Sequence, residues 1–159
     1  MQVPFILWGG DVATFQANGG LKTAKGSTFD QLGLSLNLTP GDDVVQQVRD
    51  YLSGKSPFIR CTMRMAGIIS EVIAEDPRTS GVVFLQMTWS AGDHMVSRLG
   101  VNKANDLKGK TIALQEFGPH VGMLDDILNS ANLSWKDVNV VWTKDITGPN
   151  GPAERFRKD

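Results

Sequence analysis

Residues 111–128 read TIALQEFGPHVGMLDDIL, and the way this stretch divides decides the fold. Residues 111–115 are a short apolar run of strand type. Gly118 and Pro119 then interrupt any regular element, and residues 120–131 place Val121, Leu124, Ile127 and Leu128 on one helical face. A second apolar run follows at residues 138–142. Strand, helix and strand in this order form a crossover unit, whose two strands run parallel because the helix carries the chain back to the same end.

The same alternation extends upstream. Residues 3–7 are strand-like, "GGD" turns the chain, and residues 12–17 form a short helix with Asp11 at its cap. "NGGLKTAKG" reads as a loop, and residues 34–38 alternate Leu with polar residues as a half-buried strand does. A helix over residues 43–52 turns Val44, Val45, Val48 and Leu52 to one side, and Gly54 closes it. Residues 58–62 are a third strand. The helix of residues 65–75 follows, with Ile68, Ile69, Val72 and Ile73 on its apolar face. Residues 82–88 are the strongest buried-strand run in the chain, and residues 94–101 form one more strand. The expected fold is therefore α/β, with a mostly parallel sheet, helices on both faces, and residues 3–7, 58–62 and 82–88 as neighbouring core strands.

Bulk properties narrow the function. The chain has 159 residues, 41% hydrophobic and 21% charged, with a net charge of -1. That is globular usage with no basic face for nucleic acid, the only local cluster being the terminal "ERFRKD". Cys61 is the single cysteine, so neither an internal disulfide nor a cysteine metal cluster can form. No window approaches the roughly 18 apolar residues of a membrane helix. Met1 leads directly into a strand-like run without a signal-peptide pattern, so the chain is either cytoplasmic or has lost a targeting segment.

In parallel α/β sheets ligands sit where strand C-termini meet helix N-termini. Four junctions of this kind carry suitable side chains: Trp8, Gly10 and Asp11 after the first strand, Thr62 and Arg64 after the third, Thr88, Trp89 and Ser90 after the fourth, and Phe117 with His120 in the opening stretch. Each also has a plain structural reading. Trp8, Trp89 and Trp142 can cover a core edge, Asp11 and His120 can cap helices, Arg64 can be a solvated helix-start residue, and Met63, Met65 and Met87 can fill a core.

No reactive constellation appears. His94, His120 and Cys61 fit no triad order, and "GKTIAL" lacks the earlier glycine of a phosphate loop and precedes a strand. Glu116 and His120 have helical spacing, but Gly118 and Pro119 intervene and no third metal ligand is evident. Neither catalytic residues, a metal nor a cofactor is expected.

"VPFILWGGD", "DDVVQQVRDYLSGKSPF", "VVFLQMTWSAGDHMV" and above all "NKANDLKGKTIAL" resemble the first part of type II periplasmic substrate-binding proteins of the nitrate, taurine and sulfonate transport group. The resemblance implies two α/β lobes closing over a small solute, presentation of that solute to an ABC-type permease, and a periplasmic or other extracytoplasmic location. It makes residues 1–101 most of a first lobe, 102–110 a connector and 111–159 the beginning of a second lobe. Carried over by position, Trp8, Asp11, Arg64 and Trp89 would face the solute from the first lobe, and Phe117 and His120 from the second.

Such proteins normally have a secretion signal and several more strands, whereas this chain ends at Asp159, where another helix would be starting. A fragment, a truncated gene, or a missing half supplied by another copy is expected on that basis. The segment 111–142 should then lack apolar cover and either pack back on the first lobe or drive self-association. Two further functions stay open: a sensing module fused to a signalling domain, and a small-molecule enzyme on the same fold, such as a pyrimidine-precursor synthase. The solute is equally open. Arg64, Thr88 and Ser90 suit an oxyanion, whereas Trp8, Trp89 and Asp11 suit a cationic or planar organic molecule.

Overall fold

The computed structural model describes residues 1–89 and 92–158. The chain divides into two compact units, Met1–Trp89 and Ser90–Asp159.

The first unit opens with β1 (Gln2–Phe5), α1 (Val12–Asn18), a short α2 (Thr28–Gln31) and β2 (Asn37–Pro40). β1 and β2 pair in parallel, Gln2 opposite Asn37 and Phe5 opposite Pro40. β2 begins three residues later than the Leu-Ser-Leu alternation indicates. Residues 34–36 are instead drawn toward the preceding loop, where Thr23 donates its N–H to the Leu36 carbonyl (3.1 Å) and its Oγ1 accepts from the Leu36 N–H (2.8 Å). Phe5 meets the edge of the Phe15 ring on α1, with centroids 4.7 Å apart. α3 (Val44–Leu52) starts where expected, its Asp43 carboxylate accepting from the Gln46 N–H at 3.0 Å. Phe5, Ile6, Leu38, Val44, Val48 and Met65 form the buried apolar set of this unit.

The rest of the first unit departs from expectation. Residues 58–62 are not a strand, because side chains have taken the backbone groups a sheet neighbour would use. The Gln47 amide donates to the Arg60 carbonyl (2.8 Å) and accepts from the Arg60 N–H (2.7 Å), while the Ser56 hydroxyl bonds both the N–H and the carbonyl of Phe58. α4 (Met63–Ala74) forms, capped by Thr62 Oγ1, yet of its residues only Met65 is buried. Met63 and Met87 are exposed rather than core-filling. Residues 82–88 are not a strand either. They carry no regular structure and are mostly exposed, Phe84 meeting the Phe58 ring at 5.7 Å, and residues 94–101 likewise form no strand. The three neighbouring core strands are therefore replaced by one short parallel pair.

The second unit follows the opening stretch closely. β3 (Thr111–Gln115), α5 (Val121–Ser130) and β4 (Asn139–Thr143) make a parallel crossover, Thr111 opposite Asn139 and Gln115 opposite Thr143. Leu114, Leu124, Leu128 and Val138 pack with Leu107, which the polar-looking 102–110 segment contributes to the core. α5 ends in a left-handed Asn132 (φ 55°), with Leu133 N–H bonded to the Leu128 carbonyl (2.9 Å) and Asn132 N–H to that of Asn129 (3.0 Å). This is the Schellman closure, and it turns Leu133 onto the core. α6 (Pro152–Lys158) follows, Arg98 lying 4.6 Å over the Phe156 ring. Part of the cover that 111–142 needs comes from outside that segment, from Leu107 and the partly buried Met95 and Val101, and part from its own Leu133.

Candidate functional site

Two clusters occupy strand C-termini, one in each unit. At the end of β1 the chain turns tightly through residues 6–11. Asp11 is 1% exposed. It occupies the N-cap position of α1, but its carboxylate does not cap; Oδ2 accepts from the Ile6 N–H (3.0 Å) and Oδ1 from Arg60 Nε (3.1 Å). The next amide, Leu7 N–H, donates to Asp42 Oδ1 at 3.0 Å. Both N–H groups at this strand end are thus held by the protein's own carboxylates.

Gly10 supports Trp8. A Cβ at Gly10 would lie 2.5 Å from the indole ring, so only glycine lets the ring fold over the turn. Trp8 stays 39% exposed. Arg60 is the residue sequence reading passed over, although a lone cation inside the apolar run "PFIRCT" was the available signal. Its Nη1 donates to the Cys61 carbonyl at 3.4 Å, and its buried Nη2 has no partner among the described residues. Burial pushes the Cys61 thiol above its ordinary 9.0, against a smaller pull from Arg60. A thiol held protonated in this way is a weak nucleophile.

The other expected residues of the first unit lie outside this cluster. Arg64 is exposed on the first turn of α4, Thr88 is half-buried, and Trp89 is 81% exposed. Ser90 lies outside the described residues.

In the second unit, the turn after β3 is fixed from both sides. Glu116 N–H donates to the Thr143 carbonyl (3.0 Å), Gly118 N–H to that of Gln115 (3.1 Å), and the buried Gln115 amide to the Lys144 carbonyl (3.3 Å). Phe117 adopts φ 53°, a left-handed conformation rare for a bulky residue, and its ring is 44% exposed. Gly118 cannot carry a side chain here, since a Cβ would lie 2.7 to 3.1 Å from the Gln115 side chain and carbonyl. His120 occupies the N-cap position of α5 without capping it, and its Nε2 lies 4.0 Å from Asp93 Oδ1, both groups partly exposed.

A cleft of about 430 Å³ lies elsewhere, lined by Gln2, Pro4 and Thr39 of the first sheet, by Gln46 and Gln47 of α3 and by Phe58 among others; none of the expected site residues lines it. Among the described residues no three His, Cys, Asp or Glu side chains gather as a metal would require, and no helix is long and apolar enough to cross a membrane.

A family model described as NMT1/THI5 like matches residues 24–148, most of the chain. The chain belongs to the NMT1/THI5-like family. That family falls in the type II periplasmic binding protein group of nitrate, taurine and sulfonate substrate-binding proteins. The match spans β2 to β4 and includes the turn that carries Phe117 and His120 of this NMT1/THI5-like chain. No curated protein and no solved structure matches the chain.

Proposed function

We propose that the protein captures a small solute at the C-terminal ends of its parallel strands and delivers it to an ABC-type permease, from a periplasmic or other extracytoplasmic position. Membership of a substrate-binding family over residues 24–148 carries this reading. Two features support it. Each unit ends its first strand in a tightly bonded turn that presents an aromatic ring, Trp8 in one and Phe117 in the other. Asp11, Gly10 and Arg60 act in the first turn by holding the Trp8 ring and the strand end in place, rather than by touching solute.

The chemistry of the first turn favours a planar or cationic organic solute over a bare oxyanion. The strand-end N–H groups of Ile6 and Leu7, which an anion would need, are occupied by Asp11 and Asp42. The exposed indole offers a face for stacking and for cation–π contact.

A thermal-shift screen of nitrate, taurine, planar heteroaromatic amines and quaternary amines tests the reading, because a bound solute raises the melting temperature by mass action. A planar or cationic compound should raise it, and Trp8→Ala or Phe117→Ala should shrink that rise more than each changes the unliganded melting temperature. A rise with nitrate alone, unchanged in both variants, would contradict the assigned residues. Turnover of the bound compound would replace transport with the enzyme reading.

A further inference from the structure

The cleft of about 430 Å³ in the first unit shares no residue with either strand-end turn. One of its walls is a face of the first sheet. Gln2 and Pro4 of β1 and Thr39 of β2 stand on that face, Pro4 opposite Thr39, while Phe5 and Leu38 alternate to the other. Side chains of α3 and Phe58 complete the lining, and the volume lies within the range of small-molecule sites.

Several of its polar groups are uncommitted. Among the described residues, the half-buried Gln2 side-chain amide and Thr39 hydroxyl form no hydrogen bond. Asp43 receives the Gln46 N–H on Oδ1 at 3.0 Å, and its Oδ2 has no partner among the described residues. The Gln47 amide, by contrast, is fully occupied by Arg60 and Gly41 and serves only as wall. Charge then selects the ligand. The charged side chains of the lining are Asp43, Asp50 and Lys55, and Lys55 Nζ lies 2.9 Å from Asp50 Oδ2, so the negative charge of Asp43 is the one left without an opposite partner. An anion is disfavoured twice, because that same carboxylate fills the α3 N-terminus where an anion would bind.

We propose that this cleft is a second small-molecule site and that it takes a small organic amine. The ammonium donates to the free oxygen of Asp43, a hydroxyl or carbonyl of the ligand bonds Gln2 and Thr39, and the carbon skeleton lies against Pro4 and the Phe58 ring. A charge-assisted hydrogen bond sets the orientation, and the apolar surface covers the rest. Phe58 is held in place for this role, its N–H and carbonyl by the Ser56 hydroxyl and its ring by that of Phe84. The site does not depend on the reading of the strand-end turns, whose residues it does not use.

Calorimetric titration of the full chain with phenylethanolamine, which carries a ring, a hydroxyl and a primary ammonium, should show binding. Mandelate, with a carboxylate in place of the aminomethyl group, should not bind. Asp43→Ser keeps a good helix cap while removing the charge, and should weaken the amine about tenfold or more. Thr39→Val, close to it in shape, should weaken the amine by a smaller factor. Lys55→Met frees Asp50 as a second carboxylate and should tighten binding, a change that loss of fold cannot produce. Circular dichroism checks that each variant stays folded. Absence of amine binding, equal binding of mandelate, or an affinity unchanged in both Asp43→Ser and Lys55→Met overturns the proposal. Amine binding that is lost in Trp8→Ala but kept in Asp43→Ser also overturns it, because the amine then sits at the first strand-end turn.

Discussion

Residues 58–88 and residues 111–143 carry the same kind of pattern, an apolar run, an amphipathic helix and a second apolar run, yet only the latter closes into a parallel pair. The difference lies in what surrounds each run. β3 and β4 meet across a helix whose Leu124 and Leu128 are almost fully buried, and Leu107 and Leu133 cover the remainder. In the earlier stretch, Ser56 and Gln47 bind the backbone of residues 58–60 before any strand can, and α4 buries only Met65. An apolar run becomes a strand only when an edge is free to receive it.

The largest expected contrast comes from deleting apolar atoms in each region. Leu128→Ala should destabilise the second unit by about 2–5 kcal/mol, since a fully buried leucine loses both transfer energy and packing. Val72→Ala on the exposed face of α4 should stay within about 0.5 kcal/mol. Urea titration of each variant reads the two values. Similar losses in both would erase the distinction.

A smaller effect is expected at Gln47. Its amide substitutes for a neighbouring strand at Arg60, so Gln47→Ala leaves a part-buried N–H and carbonyl without partners and should cost about 1–3 kcal/mol. Gln47→Glu keeps the acceptor for the Arg60 N–H but loses the donor to its carbonyl, and should fall between. An unchanged melting temperature in Gln47→Ala would show that the segment is held by something else.

These two regions also show what could be read from sequence. The second unit was legible because its signals are local: the Gly118-Pro119 break, the period of α5 and the two short runs all agree. The first unit depends on non-local choices. Nothing in "PFIRCT" announces that a glutamine thirteen residues earlier takes both backbone groups of Arg60. The turn at Trp8, Gly10 and Asp11 was legible as a place but not as chemistry, since the Asp11 partner, Arg60, arrives from a distant segment. Phe117 and His120 both lie in the segment between β3 and α5, whereas the left-handed backbone of Phe117 carries no sequence signature.

The smallest expected effect is acid sensitivity of the second unit. Asp106 and Asp137 titrate below the ordinary 3.8, Asp106 chiefly through the backbone N–H of Asn102 and Asp137 chiefly through that of Ser134. A carboxylate with a depressed folded pKa adds stability that is complete above its unfolded value. That contribution declines as pH falls below 3.8 and is gone beneath the folded pKa. Acid titration should therefore unfold the Asp106→Asn, Asp137→Asn double variant with a shallower pH dependence than the parent chain. An identical profile would mean that these turn carboxylates do not contribute.

Amide hydrogen exchange on the full chain tests the contrast between the two regions most directly. Residues 112–115 and 140–143 should exchange slowly, close to the rate set by global unfolding of their unit, while residues 82–89 should exchange at nearly the rate of an unstructured peptide. Strong protection of residues 82–88 would contradict the account, because it would place that run in a sheet and remove the contrast.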